Sequence, residues 1–280
     1  MVSTNYHSHC YLDDGEGRLE DYAEQALSDR LAALGFACHA PLPFPCDWVL
    51  SEESFTVYAT EVAALKERYA PRLQIYFGLE VDYLRGLYGP ADPTVKSRHL
   101  DYTIGSVHFL DDASNGEHVE IDGSAEKYAH CLASAFGGDI RGMVREYFQL
   151  VREMVADSRP DIIGHFDVIK KNNPGGIYFS ETEQWYCEEV RRTLEAVAAS
   201  GSIIEVNTGG LARGRTDSVY PSPWILAECG KRGIPTNINS DAHNPKQLTY
   251  YFEEARSLLR ESGYRERMIL LDGSWQMVEL

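Results

Sequence analysis

Cysteines at metal-finger spacing are missing from this 280-residue chain: Cys10, Cys38, Cys46, Cys131, Cys187 and Cys229 are scattered with no C-x-x-C, the pattern of buried free thiols in a reduced compartment. No apolar stretch approaches the roughly 20 residues needed to span a bilayer. The N-terminus runs straight into a polar, histidine-containing strand without a basic leader or apolar signal core, so a cytoplasmic protein with no membrane partner is expected. Basic residues are also short, 26 against 43 acidic for a net charge of −17, which argues against a non-specific grip on nucleic acid. An anionic small substrate is still admitted, because bound cations can reverse the local field. Internal repeats, low-complexity segments and linkers are absent, and 280 residues at 44% hydrophobic composition suit one large α/β domain spanning 1–280. Oligomeric state is not legible.

What is present is regular alternation. Short β-like runs at about 3–8, 35–39, 73–80, 101–108, 161–165, 202–206 and 234–239 alternate with helical patterns at 19–34, 52–69, 140–157, 181–200, 221–232 and 245–262. That order points to parallel strands joined by right-handed crossovers, in an open sheet or a closed barrel. A barrel is favoured, because candidate ligands close six of the seven strands, and barrels draw their chemistry from nearly all strand ends. Longer insertions at 40–51 and 111–138 are expected to shape a pocket on that face.

The ligand-type residues are His7, His9, His39, Glu80, His108, His165, Asp241 and His243. His7 and His9, two apart on a strand, point to one face, and imidazole is a common ligand for Zn, Fe and Mn-type ions. Asp241-x-His243 repeats the spacing at the other end of the chain, and in a closed barrel the first and last strands would bring the pairs together. Glu80 ends an apolar run where a carboxylate is costly unless paired or bound to a cation. A carboxylate can bridge two ions, which a single imidazole does not do, so Glu80 is the expected bridge. His39, His108 and His165 each close a strand; His99, His118 and His130 do not and are left out. Asp13 and Asp14 form a turn after the first strand, from which one could reach back to a metal. Asn207-Thr-Gly-Gly-Leu-Ala-Arg213-Gly, followed by Arg215, could hold a phosphate through backbone N–H groups and a guanidinium.

The ordered set His-x-His, His, Glu, His, His, Asp-x-His resembles the polymerase-and-histidinol-phosphatase (PHP) superfamily. Gly35-Phe-Ala-Cys-His-Ala-Pro41, Gly105-Ser-Val-His108, Gly164-His-Phe-Asp-Val-Ile-Lys170, Glu205-Val-Asn-Thr208 and Tyr220-Pro-Ser-Pro223 resemble its histidinol-phosphatase branch. The match covers essentially the whole chain. It implies a distorted TIM-like (β/α)7 barrel with three divalent ions (Zn, Mn or Fe). One ion would be held by His7, His9, Glu80 and Asp241, a second by Asp14, His39 and His243, and a third by Glu80, His108 and His165. Asp14 is implied over Asp13 because it lies five residues after the second histidine and precedes a glycine. Cys10 departs from the family's usual threonine, on the face opposite His7 and His9. The resemblance implies hydrolysis of L-histidinol phosphate to L-histidinol and inorganic phosphate in histidine biosynthesis, with Glu80, Asp241 and His243 at the reacting centre and Arg213 on the phosphate. Asp167 is a candidate to protonate the leaving group or to support a neighbouring histidine.

Three other readings compete. A PHP-type nuclease or nucleotide phosphoesterase would keep the site and change the substrate; the acidic balance and lack of basic-aromatic interleaving count against a nucleic-acid track. An amidohydrolase-like barrel also uses H-x-H and a late aspartate, but no lysine ends the middle strand, where Glu80 stands. A metal-binding module without turnover is opposed by the complete ligand set.

Overall fold

The computed structural model describes residues 2–112 and 116–280; within the 111–138 insertion, residues 113–115 lie outside the described residues. Its strands are β1 (Thr4–Asn5), β2 (Ala33–Phe36), β3 (Gln74–Asp82), β4 (Tyr102–Ser106), β5 (Phe109–Asp111), β6 (His118–Glu120), β7 (Ile162–Ile163), β8 (Ile203–Asn207), β9 (Thr236–Asn239), β10 (Glu266–Leu271) and β11 (Ser274–Glu279). Seven of them form one sheet in the order β1-β2-β3-β4-β7-β8-β9, every pairing parallel. The strip curls until its edges meet. A parallel bridge joins Ser8 to Ala242, His9 N donates to Ala242 O at 2.9 Å, and Ala242 N donates to His7 O at 3.3 Å. The result is the expected seven-stranded barrel, with β1 and β9 as its seam.

The surrounding helices follow their apolar stripes. The helix Ile140–Asp157 buries Met143, Val144, Tyr147, Phe148, Val151, Met154 and Val155, a three-and-four spacing that lays one face on the sheet. Its N-cap Asp139 accepts from Gly142 N at 3.0 Å, satisfying an orphan donor of the first turn. The helix Glu52–Tyr69 starts on a reciprocal Ser51/Ser54 capping box and matches the expected range.

Tyr102 organises the barrel interior. Its Oη donates to Tyr6 O at 2.5 Å and Phe36 O at 3.0 Å, and its ring crosses the space that side chains at 35 and 78 would fill. A Cβ added at Gly35 or Gly78 would lie 2.4 Å from that tyrosine, so both glycines are required by close approach.

Several expected boundaries are corrected. The first helix stops at Ser28 rather than 34. Arg30 adopts a φ of 61°, and the apolar residues that follow become the buried strand β2, in which a run apolar on both faces is satisfied between two parallel neighbours. The 245–262 pattern splits into a short turn, Pro245–Gln247, and the helix Phe252–Glu261. The 111–138 insertion carries β6 and the helix Ala125–Ser134, and the strand β5 with which β6 forms a hairpin begins just before it, at Phe109. The β10–β11 hairpin was not anticipated. It turns on Asp272-Gly273, both at positive φ, as a tight two-residue hairpin turn requires. Its Trp275 packs edge-on against Tyr6 and Tyr102, and Tyr6 Oη exchanges 2.8 Å hydrogen bonds with the Leu270 backbone. The hairpin thereby plugs the barrel end opposite the strand C-termini.

Candidate metal centre

At the C-terminal ends of the strands the expected residues converge. Glu80 ends up buried at the middle of the histidines, and its two oxygens divide them. Oε2 lies 3.2 Å from His7 Nε2, 3.5 Å from His9 Nε2 and 3.1 Å from His39 Nδ1. Oε1 lies 2.9 Å from His165 Nε2 and 3.6 Å from His108 Nε2 and accepts from Ser106 Oγ at 2.6 Å. The seam brings in the late pair: His9 Nε2 is 3.2 Å from Asp241 Oδ1, and the His9 and His243 rings stack at 4.3 Å. Asp241 sits at φ 48°, a strained conformation for a non-glycine residue and one that clusters at functional sites.

Both aspartates of the first turn reach this cradle, in different ways. Asp14 Oδ2 is 3.2 Å from His243 Nε2, and its Oδ1 is 3.8 Å from His39 Nε2. Asp13 lies behind, with Oδ2 2.8 Å from His9 Nδ1 and accepting from His39 N at 3.0 Å.

Several nitrogens at the centre are close to carboxylates without being aimed at them. His7 Nε2, His9 Nε2 and His39 Nδ1 are buried and make no hydrogen bond, although the carboxylate oxygens named above lie within 3.5 Å. Distance is satisfied and angle is not, as for donors directed at common points between them. Groups of mutually close ligand atoms include His9, Asp14, His39 and His243; His7, His9 and Asp241; and His39, Glu80 and His108. The donor set of imidazoles and carboxylates suits borderline divalent ions.

The electrostatics agree. Burial pushes the His7 imidazole down, but the surrounding Glu205, Glu80 and Asp241 outweigh it and raise its pKa to about 10. His108 is likewise brought to about 10, with Asp82 and Glu80 overcoming burial. Burial would raise Glu80 and Asp241, yet cationic neighbours hold both well below the carboxylate range. The cradle is a strong attractor of positive charge, which a divalent ion would satisfy.

Carboxylates behind the histidines were not singled out from sequence. Glu205 sits 3.0 Å from His7 Nδ1 and accepts from His165 N at 2.8 Å, Asn207 Nδ2 at 2.7 Å and Asn239 Nδ2 at 2.9 Å. Asp82 lies 2.9 Å from His108 Nδ1. Such partners fix the tautomer and orientation of a ligating imidazole. The signal was available: Glu205 interrupts an apolar strand as Glu80 does, and Asp82 shares Glu80's face two residues on.

The cradle opens into a cleft of about 400 Å3 lined by Asp14, His39, Trp48, Glu80, Glu120, Asp122, Lys171, Arg213, Arg215 and others. Both insertions contribute, the first through Trp48 and the second through Glu120 and Asp122 to Ser124. Arg213 faces this cleft, but its guanidinium is also tied back: Nη1 donates to Asp241 O at 2.6 Å and lies 2.7 Å from His243 Nδ1, and Nη2 donates to Asp241 Oδ2 at 3.0 Å.

Two expectations need correction. The glycine segment is a short helix, Gly209–Ala212, rather than an open loop; Gly209 N is occupied by Asn207 Oδ1 at 2.9 Å, and Gly209 is glycine because a Cβ there would meet Ser240 O at 2.9 Å. Asp167 neither lines the cleft nor supports a histidine. Its Oδ2 pairs with Lys170 Nζ at 3.0 Å and accepts from Ser222 N at 3.0 Å.

Comparison with known proteins places these features in context. The sequence profile of the PHP domain matches residues 3–209. A probable histidinol-phosphatase of Deinococcus radiodurans is 29% identical over 254 residues, covering 89% of each chain, and the histidinol-phosphatase of Bacillus subtilis is 27% identical over 84% of this chain and 90% of its own. Among solved structures, hisK of Listeria monocytogenes superimposes with a TM-score of 0.78 at 21% identity, over 90% of this chain and 99% of that one. The histidinol phosphate phosphatase of Lactococcus lactis, complexed with zinc, L-histidinol and phosphate, does so at 0.68 and 20% identity over 98% of both.

Proposed function

This chain belongs to the PHP-domain family, and from that premise we propose that it is a metal-dependent phosphatase hydrolysing L-histidinol phosphate to L-histidinol and inorganic phosphate, a step of histidine biosynthesis. The observation that carries the reading is the division of five histidines between the two oxygens of the buried Glu80 carboxylate. Three divalent ions (Zn, Mn or Fe) complete the site. His7, His9, Glu80 and Asp241 hold one, Asp14, His39 and His243 a second, and Glu80, His108 and His165 a third. When bound, the ions supply Lewis-acid neutralisation of the phosphoryl charge, the requirement that makes uncatalysed monoester hydrolysis so slow.

The chain's own residues do the rest. Glu205, Asp82 and Asp13 hold the tautomers of His7, His108 and His9, so each presents its other nitrogen to the centre. Arg213 fixes Asp241 and His243 and, with Arg215 and Lys171, gives the cleft wall cationic groups for the phosphate. Trp48, stacked on Phe109 at 5.6 Å, offers an aromatic wall to the imidazole of the substrate. A single domain spanning 1–280 and a cytoplasmic setting fit this role; no helix among the described residues is long and apolar enough to cross a membrane.

The test is phosphate release from histidinol phosphate, with elemental analysis of the same sample. Two to three ions per chain, with release abolished by chelator and restored by Mn or Zn, support the reading. Full metal occupancy with release only from a mononucleotide would transfer the site to the nucleotide phosphoesterase alternative.

A further inference from the structure

Behind the histidine cradle lie two thiols to which the phosphatase reading gives no task. Cys10 follows His9 and Cys38 precedes His39 in the chain. Their Sγ atoms are 3.4 Å apart, and both side chains are fully buried. Asp13 ties this pair to the cradle: Oδ1 accepts from Cys10 N at 2.8 Å, while Oδ2 holds His9 Nδ1 and His39 N. One carboxylate therefore contacts the backbone or ring of three residues at positions 9, 10 and 39.

We propose that Cys10 and Cys38 are an oxidative modification site that closes to an intramolecular disulfide, and that closure distorts His9 and His39 and weakens the cradle's hold on metal. The inference rests on the metal-cradle reading above but not on the identity of the substrate. The oxidant is a hydroperoxide. One thiol attacks the hydroperoxide oxygen and the O–O bond breaks, leaving an alcohol (water, from hydrogen peroxide) and a sulfenic acid. The second thiol attacks that sulfur, the S–S bond forms and water departs, so the two sulfurs together lose the two electrons that the hydroperoxide gains.

A disulfide needs an S–S separation of about 2.05 Å, so the sulfurs must approach by roughly 1.3 Å. The Cys10 side cannot absorb that freely. Its carbonyl is held by Asp13 N at 3.2 Å and Gly15 N at 3.0 Å, and Gly15 packs so tightly that a Cβ there would lie 2.5 Å from Cys10 N. The displacement passes to Asp13 and to the two histidines beside the cysteines. Burial in the apolar layer beneath the first two helices makes the thiols slow to react; a bound metal pins His9 and His39, their chain neighbours, and removing it loosens both segments. The site thus reports on metal occupancy, with stripped protein oxidised and loaded protein spared.

The experiment treats the full chain, zinc-loaded and chelator-stripped, with hydrogen peroxide and separately with diamide, which forms disulfides without oxidising a metal. Alkylation, intact mass and peptide mapping without reduction follow, then zinc uptake by elemental analysis. The expected result is loss of two hydrogens mapped to a Cys10–Cys38 link, faster in stripped protein, with zinc affinity roughly tenfold weaker, as for loss of a ligand's supporting contact, and recovered with dithiothreitol. Cys10→Ser and Cys38→Ala should each abolish the link and the zinc effect; two variants guard against one that misfolds. Oxidation of the partly exposed Cys46 and Cys187 without the link would overturn the proposal, as would a link that leaves zinc uptake unchanged. So would a thiolate-to-cobalt charge-transfer band in cobalt-loaded protein that Cys38→Ala removes, since the thiols would then be metal ligands. Mass and metal content are the readouts, so a failure of histidinol phosphate as substrate leaves the test intact.

Discussion

Glu80 faces His7, His9 and His39 with one oxygen and His108 and His165 with the other, so a change that keeps its shape and removes its charge should disturb two ion positions at once. Glu80→Gln is expected to lower kcat/KM at least ~100-fold, about 2.7 kcal/mol of barrier, with metal content falling in the same sample; near-native turnover would remove Glu80 from the centre. Glu205→Gln tests the layer behind. It places an amide N–H2 against groups that all donate to the carboxylate, and metal affinity should drop about 10–100-fold, read by competition with a chromophoric chelator. Asp167→Asn should differ in kind, because its partner is the buried Lys170. Breaking such a pair costs about 3–5 kcal/mol of stability and should leave metal stoichiometry intact. At this scale the sequence was legible wherever a ligand-type residue closed a strand. It was less so for Glu205 and Asp82, whose role depends on which histidine stands opposite, and it misled at Asp167, where proximity in sequence to His165 suggested a contact that the chain direction does not make.

The strands were legible because each is a short apolar run bounded by turn residues, and the barrel was legible because ligands fell at one end of nearly all of them. Two element-scale features were not. The end of the first helix at Ser28 is set by pairing of β2 with β1 and β3, a tertiary effect that periodicity over 19–34 does not register. The β10–β11 hairpin carried a readable Asp272-Gly273 turn signal, but it lies outside the βα alternation that organised the rest of the chain. The layer that hairpin covers gives a packing prediction. Gly78→Ala would put a methyl group 2.4 Å from the Tyr102 ring, and overpacking of this kind costs about 1–3 kcal/mol. Because Tyr102 also bonds Tyr6 O and Phe36 O, the strain falls on β1 and β2 together. Denaturant unfolding should show a lowered midpoint, and an unchanged midpoint would mean the ring moves aside freely.

For the whole molecule, the seam between β1 and β9 is where fold and proposed chemistry coincide. Among the described residues the backbones of the two edges meet through one bridge, Ser8 to Ala242, and two hydrogen bonds, fewer than the ladders of the other neighbours, and side-chain bonds of Asn5 with Ser240 and of Tyr6 N with Asn239 add to the closure. His7 and His9 stand on one side of it, and Asp241 and His243 on the other. An ion held by both sides would link segments from opposite ends of the chain, and a ligand that binds only the folded state adds RT ln(1 + [L]/Kd) to stability, about 4 kcal/mol at a thousandfold excess over Kd. In a protein of this size, at about 2–4 °C per kcal/mol, removing the ions should lower Tm by roughly 10 °C. The loss should also be local. Amide exchange at His9 and Ala242, whose N–H groups donate across the seam, should accelerate on chelation more than exchange at Glu80 N, which donates to Cys38 O at 3.0 Å between β2 and β3. Equal acceleration everywhere would mean that the metal stabilises the fold without spanning its edges. No change at the seam would place the ions on one side of it and detach Asp241 and His243 from the centre.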